Sequence, residues 1–495
     1  MGTVMKNNLR TAPIDAAIVA RPSAITFDAL IYLVLSITII AKIASEDVIV
    51  RSAIDMVFML CGLFVFPVAN KMLFLVAAAV AIPNIPSIDK LFGLISYVEY
   101  LAIVLAVRSV MNGKFSLYVI LESPFLCFIF LVFFMLLVHS LTFTFDILQH
   151  ALVVRFFVIF VLCYCCARGA FDNPALLPER LDRLLFGALR IAVLVYLTVF
   201  VFQFVFPAGY EEIFVASDRM REGYRIAYQI HTYIPVMLLA ILYILAQDEP
   251  IRRGLLRTTA MSHLWLWLAA CILAFLGTGS RLVWLHFFVL YALFVLFRFP
   301  RAVAFGMLVL VMGAVLIRFS VFEFAIDRLQ SISTSADLLA NMEMRILPGL
   351  RAMETMSTRE VLFGMGFSYQ FFVPWFDTRA NDYNAYTSFI DQLWLTVFVQ
   401  SGVVGVLLVI LVFGCGIVFW LARYRTLRMM PFTYFLILFY LSLVHGFANL
   451  AYSKDCYVLL GIVAGSFAAL KRGQPARGSL ALRGVPSRSG GLNER

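Results

Sequence analysis

The sequence predicts an all-α polytopic membrane protein, and three observations predict it. The first is composition: of 495 residues, 63% are hydrophobic and only 14% are charged, with a mean hydropathy of +0.94. A soluble domain of this size has no way to hide that much apolar surface, so lipid must solvate most of it. The second is the recurrence of apolar runs that cross or nearly cross a bilayer. They lie near 25–45, 52–69, 71–87, 91–107, 120–139, 150–167 and 184–207, then near 228–247, 262–277, 281–299, 302–320, 402–422, 431–449 and 455–470. At roughly 20 residues per span, the set gives about twelve to fourteen helices, the short runs being able to merge or re-enter. The third is charge, which alternates along the chain.

With the N-terminus inside, every second loop is basic. Arg108 and Lys114 are followed by Arg168, Arg180 and Arg183, then by Arg252, Arg253 and Arg257, then by Arg298 and Arg301, and then by Arg423, Arg425 and Arg428. This is the positive-inside pattern and places both termini in the cytoplasm. The net charge of +10 thus reports topology, and no nucleic-acid partner is implied. Residues 1–24 are polar and read as a cytoplasmic segment without a cleavable leader. Residues 25–320 read as the first part of the bundle, 321–390 as a long outer loop, 391–470 as a short helix with the last spans, and 471–495 as a basic, disordered tail. The eight cysteines lie in or beside apolar runs without the paired spacing of a zinc site and read as buried filler.

Three outer segments carry unusual polarity. Residues 217–225 read SDRMREGYR, residues 277–281 read GTGSR, and the stretch 321–390 is far longer than an ordinary connection. Within it, residues 321–356 are amphipathic and suit helices that lie on the membrane or cap the bundle. Arginines on this side are not needed for orientation, yet Arg221, Arg225, Arg281, Arg345 and Arg351 stand there. Guanidinium groups bind phosphate in a bidentate fork, so these are candidates for an anionic lipid head group, although each also suits pairing with a nearby acid. In GTGSR the glycines allow a tight reversal, and Ser280 is placed to cap the next helix beside Arg281. His231 and His445 fall near outer helix ends and His286 within a span. Glu99, Arg155 and Arg190 lie inside apolar runs, where a charge is functional or paired. No HExxH, Walker or DxD-like element occurs in the outer loops, so chemistry without a bound metal, nucleotide or other cofactor is expected.

Residues 391–405 read DQLWLTVFVQSGVVG. Thr387 or Ser388 is placed to cap a helix running to about residue 400, with Gly402 ending it. Asp391 would then sit in the first turn, where the helix dipole favours an ionised carboxylate, with Tyr383 and Asn384 as polar neighbours. Such an acid suits a general base or a helix-end ion pair equally.

The order of these features resembles the O-antigen polymerase and O-antigen ligase superfamily. REGYR (221–225) precedes a span, and GTGSR lies between two spans. MRILPGLRAMETMSTREVLFGMGF (344–367) then falls in the long loop, and DQLWLTVFVQSGVVG follows. The resemblance covers roughly residues 219–405. It implies a GT-C-like bundle, a periplasmic active site and a bacterial inner-membrane location. The family's serine–arginine element falls on Ser280 and Arg281, and its loop arginine on Arg345, ahead of a turn at Gly364 and Gly366. The ligase frame is kept by Gln392, Gly402 and Gly405, but Asp391 stands where ligases carry histidine. Position 349 is glycine where the ligase element has leucine.

These departures favour a polymerase. The implied reaction transfers a glycan from a polyprenyl-diphosphate donor to a lipid-linked acceptor repeat unit, for O-antigen, capsule or exopolysaccharide. Arg225, Arg281 and Arg345, with Arg221 and Arg351, would hold the diphosphate, and Asp391 would take or orient the acceptor proton. Ser280, His231, Tyr383, Asn384, Gln392 and His445 would support them, and Tyr369, Phe371, Trp375 and Tyr383 suit sugar stacking. A flippase and a chain-length regulator join membrane lipids as implied partners. A ligase acting on lipid A core, or a lipid-linked oligosaccharide transporter, would use the same cationic face.

Overall fold

The computed structural model describes residues 23–45, 47–64, 69–82, 88, 90–143, 147–171, 177–205, 233–259, 263–278, 284, 287–292, 294, 306, 346–373, 386–387, 390, 392–443 and 454–472. They form a mostly helical membrane protein. The helices are α1 (Ser23–Ala44), α2 (Val48–Phe64), α3 (Ala69–Ala79), α4 (Tyr97–Met111), α5 (Pro124–Phe143), α6 (Ile147–Ala170) and α7 (Leu177–Val205). They continue with α8 (Tyr233–Ala246), α9 (Glu249–Thr259), α10 (Leu264–Gly277), α11 (Thr358–Phe363), α12 (Leu393–Arg428), α13 (Pro431–Leu443) and α14 (Lys454–Arg472). Among the described residues, four stretches, Pro124–Phe143, Val153–Ala170, Leu177–Phe202 and Leu393–Arg428, are long and apolar enough to cross a membrane. A short helical turn over Tyr118–Leu121 and two antiparallel ribbons accompany them: β1 (Lys90–Leu91) with β2 (Ile95–Ser96), and β3 (Phe371–Phe372) with β4 (Tyr386–Thr387).

α8 is the centre of the bundle. All its residues are buried, against α7, α10 and α13, which is where a helix apolar on every side must go. By contrast, α5 and α12 turn large apolar side chains outward, among them Phe128, Leu131, Phe134, Leu407, Ile417 and Val418. In a bilayer, lipid covers such faces without penalty.

The two ends of the bundle differ. At one end Asp182 Oδ1 accepts from the backbone N–H groups of Phe432 (3.0 Å) and Thr433 (3.1 Å), satisfying the first turn of α13. Arg168 pairs with Glu122 there, and the Tyr243 hydroxyl donates to the Arg428 carbonyl. Arg168 and Arg428 of the basic loop series therefore lie toward one end of the bundle.

At the other end a buried lysine organises α1, α2, α4 and the first ribbon. Lys42, 1% exposed, pairs with Asp55 at 2.6 Å and donates to the Lys90 carbonyl at 2.9 Å. The Phe92 N–H and the Tyr97 hydroxyl also donate to the Asp55 carboxylate. Breaking a buried pair strands the remaining charge, so Lys42→Met is expected to cost about 3–5 kcal/mol. Thermal unfolding in detergent measures it, and a Lys42→Met, Asp55→Asn double variant should recover part of the loss.

The intramembrane charges seen in the sequence are paired. Arg190 binds Asp28 of α1 and lies over the rings of Phe186 and Trp267. Arg155 faces Glu99 at 3.6 Å. All eight cysteines are free, and Cys163, Cys165, Cys166, Cys271 and Cys456 are buried.

Candidate functional site

Opposite the basic end, residues 346–373 fold onto the tips of α5 and α12. The chain is helical over 346–354 and again in α11. Ser357 starts α11 with a capping box: its hydroxyl accepts from the Glu360 N–H (3.4 Å), and the Glu360 carboxylate accepts from the Ser357 N–H (2.7 Å). These bonds, with Arg359 adjacent, hold the Glu360 carboxyl below its ordinary range. Ala352, Phe371, Val373, Ile390 and Val399 form a small apolar core under this cap. Gly349 makes the packing possible, because a Cβ there would stand 2.9 Å from Ile390 Cδ1 and 3.0 Å from Leu395 Cβ. Gly349 is thus the residue that lets 346–354 approach α12.

The decisive feature is a broken helix met by a glycine turn. Gly402 takes φ 63°, ψ −163° inside α12, which interrupts the backbone ladder and leaves the preceding carbonyls to find other donors. The Met365 N–H donates to the Val399 carbonyl (2.7 Å), and the Gly366 N–H to the Gln400 carbonyl (3.1 Å). Gly364 and Gly366 both hold positive φ, 84° and 96°. Any Cβ on Gly364 would collide with the Gln400 and Ser401 backbone, and any on Gly402 with Leu362 and Phe363. The next residue ties the turn to α5: the Phe367 N–H donates to Ser140 Oγ (2.6 Å), which lies 2.7 Å from His150 Nε2 of α6. Phe367 also stacks on Phe133.

Most of the expected site residues fall outside the described residues: Asp391, Arg221, Arg225, His231, Ser280, Arg281, Arg345, Tyr383, Asn384 and His445, as does Trp375. Two are placed. Arg351 is exposed on 346–354. Gln392 is the N-cap of α12, its side chain accepting from the Leu395 N–H at 2.6 Å. This corrects the expected helix start. Thr387 is not a cap, because it pairs with Phe371 in the second ribbon, and α12 begins at Leu393. Position 391 therefore precedes the cap and does not belong to the first turn. Gln392 is a poor N-cap by type, which is why the sequence points to Thr387 or Ser388 instead. Of the expected stacking residues, Tyr369 and Phe371 meet edge to face at 5.2 Å, and burial pushes the Tyr369 phenol above its ordinary range.

The structure adds residues that sequence reasoning passed over. His139 and Ser140 end α5, His150 lies in the first turn of α6, and Arg359 lies in α11. The signal was present, since two histidines bracket the connection between adjacent apolar runs and STRE (357–360) has capping-box spacing. His139 packs between the rings of Phe143 (4.9 Å) and Phe363 (5.2 Å), and Arg359 lies over the Phe143 ring at 5.4 Å. No model of a known protein family matches this chain, and no curated protein matches it.

Proposed function

We propose that the protein is a membrane glycosyltransferase that polymerises polyprenyl-diphosphate-linked oligosaccharide repeat units at the periplasmic face of the bacterial inner membrane. The observation that supports this most is the docking of the Gly364–Gly366 turn on the broken helix α12. It joins the two sequence elements of the family resemblance, the loop motif and the DQLWLTVFVQSGVVG frame, through hydrogen bonds between their backbones. Gly349, where the ligase element has leucine, packs beside that joint against Ile390 and Leu395.

In this reading an acceptor hydroxyl attacks the anomeric carbon of the donor glycan, the C–O bond to the diphosphate breaks, and the lipid diphosphate leaves. Arg225, Arg281 and Arg345, with Arg221 and Arg351, stabilise the charge that develops on it. Asp391 takes the acceptor proton or orients that hydroxyl. Asp391→Asn in a strain lacking the native gene is expected to lower long polymer by ~10²-fold or more, the scale of a lost general base. Electrophoresis of surface polysaccharide reads it. Wild-type chain lengths would remove Asp391 from the mechanism. Loss of long chains with single repeat units still joined to lipid A core would separate polymerase from ligase.

A further inference from the structure

Two polar groups are left over at the joint between α5 and the outer turn. Arg359 lies over the Phe143 ring, and the adjacent Glu360 carboxylate is engaged by the Ser357 N–H. The Arg359 guanidinium stays charged. His139, within electrostatic reach of Arg359 and of the Gly364 backbone, which takes a hydrogen bond from the ring, has a buried Nε2 that meets no partner in hydrogen-bond geometry. An orphaned buried nitrogen is costly, and a native protein retains one for a reason. Both groups sit beside Gly364, where loop and helix tip meet.

We propose that Arg359 and His139 together form a head-group site for a glycosyl phosphate. A phosphoryl oxygen accepts from the Arg359 guanidinium, and a hydroxyl of the attached sugar donates to His139 Nε2. The ligand class follows from the pair. A guanidinium needs an anionic acceptor, while a bare imidazole nitrogen needs a donor, and a glycosyl phosphate carries both within a few ångströms. Phe143 and Phe363, which frame the imidazole, offer aromatic faces to the apolar face of a sugar ring. Phe363, half-buried at the end of α11, borders the imidazole. The inference rests on the glycan-transfer reading and gives its lipid-linked substrate a docking point apart from the residues already assigned to the diphosphate.

The test uses the full chain in phosphatidylcholine nanodiscs with two probes, a short polyprenyl diphosphate carrying one hexose and the same carrier without sugar. Wild type should bind the sugar-bearing carrier better. Arg359→Gln should weaken both by about tenfold or more. His139→Phe, which suits an aromatic niche, should abolish the preference for sugar, and His139→Gln, which restores an acceptor, should retain it. A preserved preference in His139→Phe, unchanged affinity in Arg359→Gln, or equal competition by phosphatidylglycerol would each overturn the proposal. Incubation with a lipid-linked repeat unit separates the two readings. If binding behaves as expected and wild type makes no polymer, the polymerase reading fails and the site stands. If wild type polymerises and both His139→Phe and Arg359→Gln match it in rate and affinity, the site alone fails.

Discussion

Replacing Gly402 with alanine is expected to release residues 357–367 from α12. The conformation at Gly402, φ 63° and ψ −163°, belongs to a region that is essentially glycine's alone, and a side chain there costs about 1–3 kcal/mol. The added methyl would also land on the backbone of Leu362 and Phe363, so the turn must lift away. Lifting loses the two bonds from Met365 and Gly366 to the carbonyls of Val399 and Gln400, each worth about 0.5–1.5 kcal/mol net. Together these give about 2–6 kcal/mol, concentrated on one joint. Limited proteolysis should cut between Ser357 and Phe367 in the variant and leave wild type intact. Gly414, in the same helix with open space around its Cα, is the control: Gly414→Ala should be neutral or slightly stabilising. Equal protease resistance in Gly402→Ala and Gly414→Ala would show that the turn is not held through α12.

The same joint shows how far the sequence could be read. Spans were legible because hydrophobic runs report them directly, and helices stand on the run at 120–139 and on the run at 150–167, as expected. The break at Gly402 was legible too, because glycine marks positions that other residues avoid, whereas the turn at Gly364 and Gly366 was expected only from the family resemblance. What no single stretch announces is that the turn and the break meet, since that contact links backbones far apart in sequence. The start of α12 was misread because local capping chemistry at Thr387 yielded to ribbon pairing with Phe371. Lys42 and Asp55 were passed over for a related reason. Each sits singly at a helix end or within an apolar run, and only the fold reveals that Phe92, Tyr97 and Lys90 complete their bonding. Gly349 is the instructive case, because only the fold shows that a side chain there would meet Ile390 and Leu395.

The second large effect is expected at Gly465, where valine should prevent stable assembly of the bundle. Of the helix pairs described, α6 and α14 make the most extensive contact. They run parallel, Gly461 facing Phe160 and Gly465 facing Tyr164. Water offers no driving force between helices in lipid, so close backbone approach and dispersion must supply it, and Gly461-x-x-x-Gly465 provides the small surface this needs. A Cβ on Gly461 would stand 2.8 Å from the Phe160 carbonyl oxygen, and one on Gly465 would run into the Tyr164 backbone. Overpacking ordinarily costs about 1–3 kcal/mol because side chains give way. Here the obstacle is backbone, so the helices must separate and the cost should reach or exceed that upper value. Separation has a second consequence. Lys454, buried at the start of α14, donates to the Ile82 carbonyl at 3.4 Å, and moving α14 weakens this bond to a buried ammonium. Gly465→Val should therefore lower the yield of monodisperse protein on size exclusion and its unfolding temperature far more than Gly254→Ala, a change in α9 that meets nothing within 4 Å. If Gly465→Val and Gly254→Ala unfold together, α6 and α14 do not approach as closely as their glycines allow.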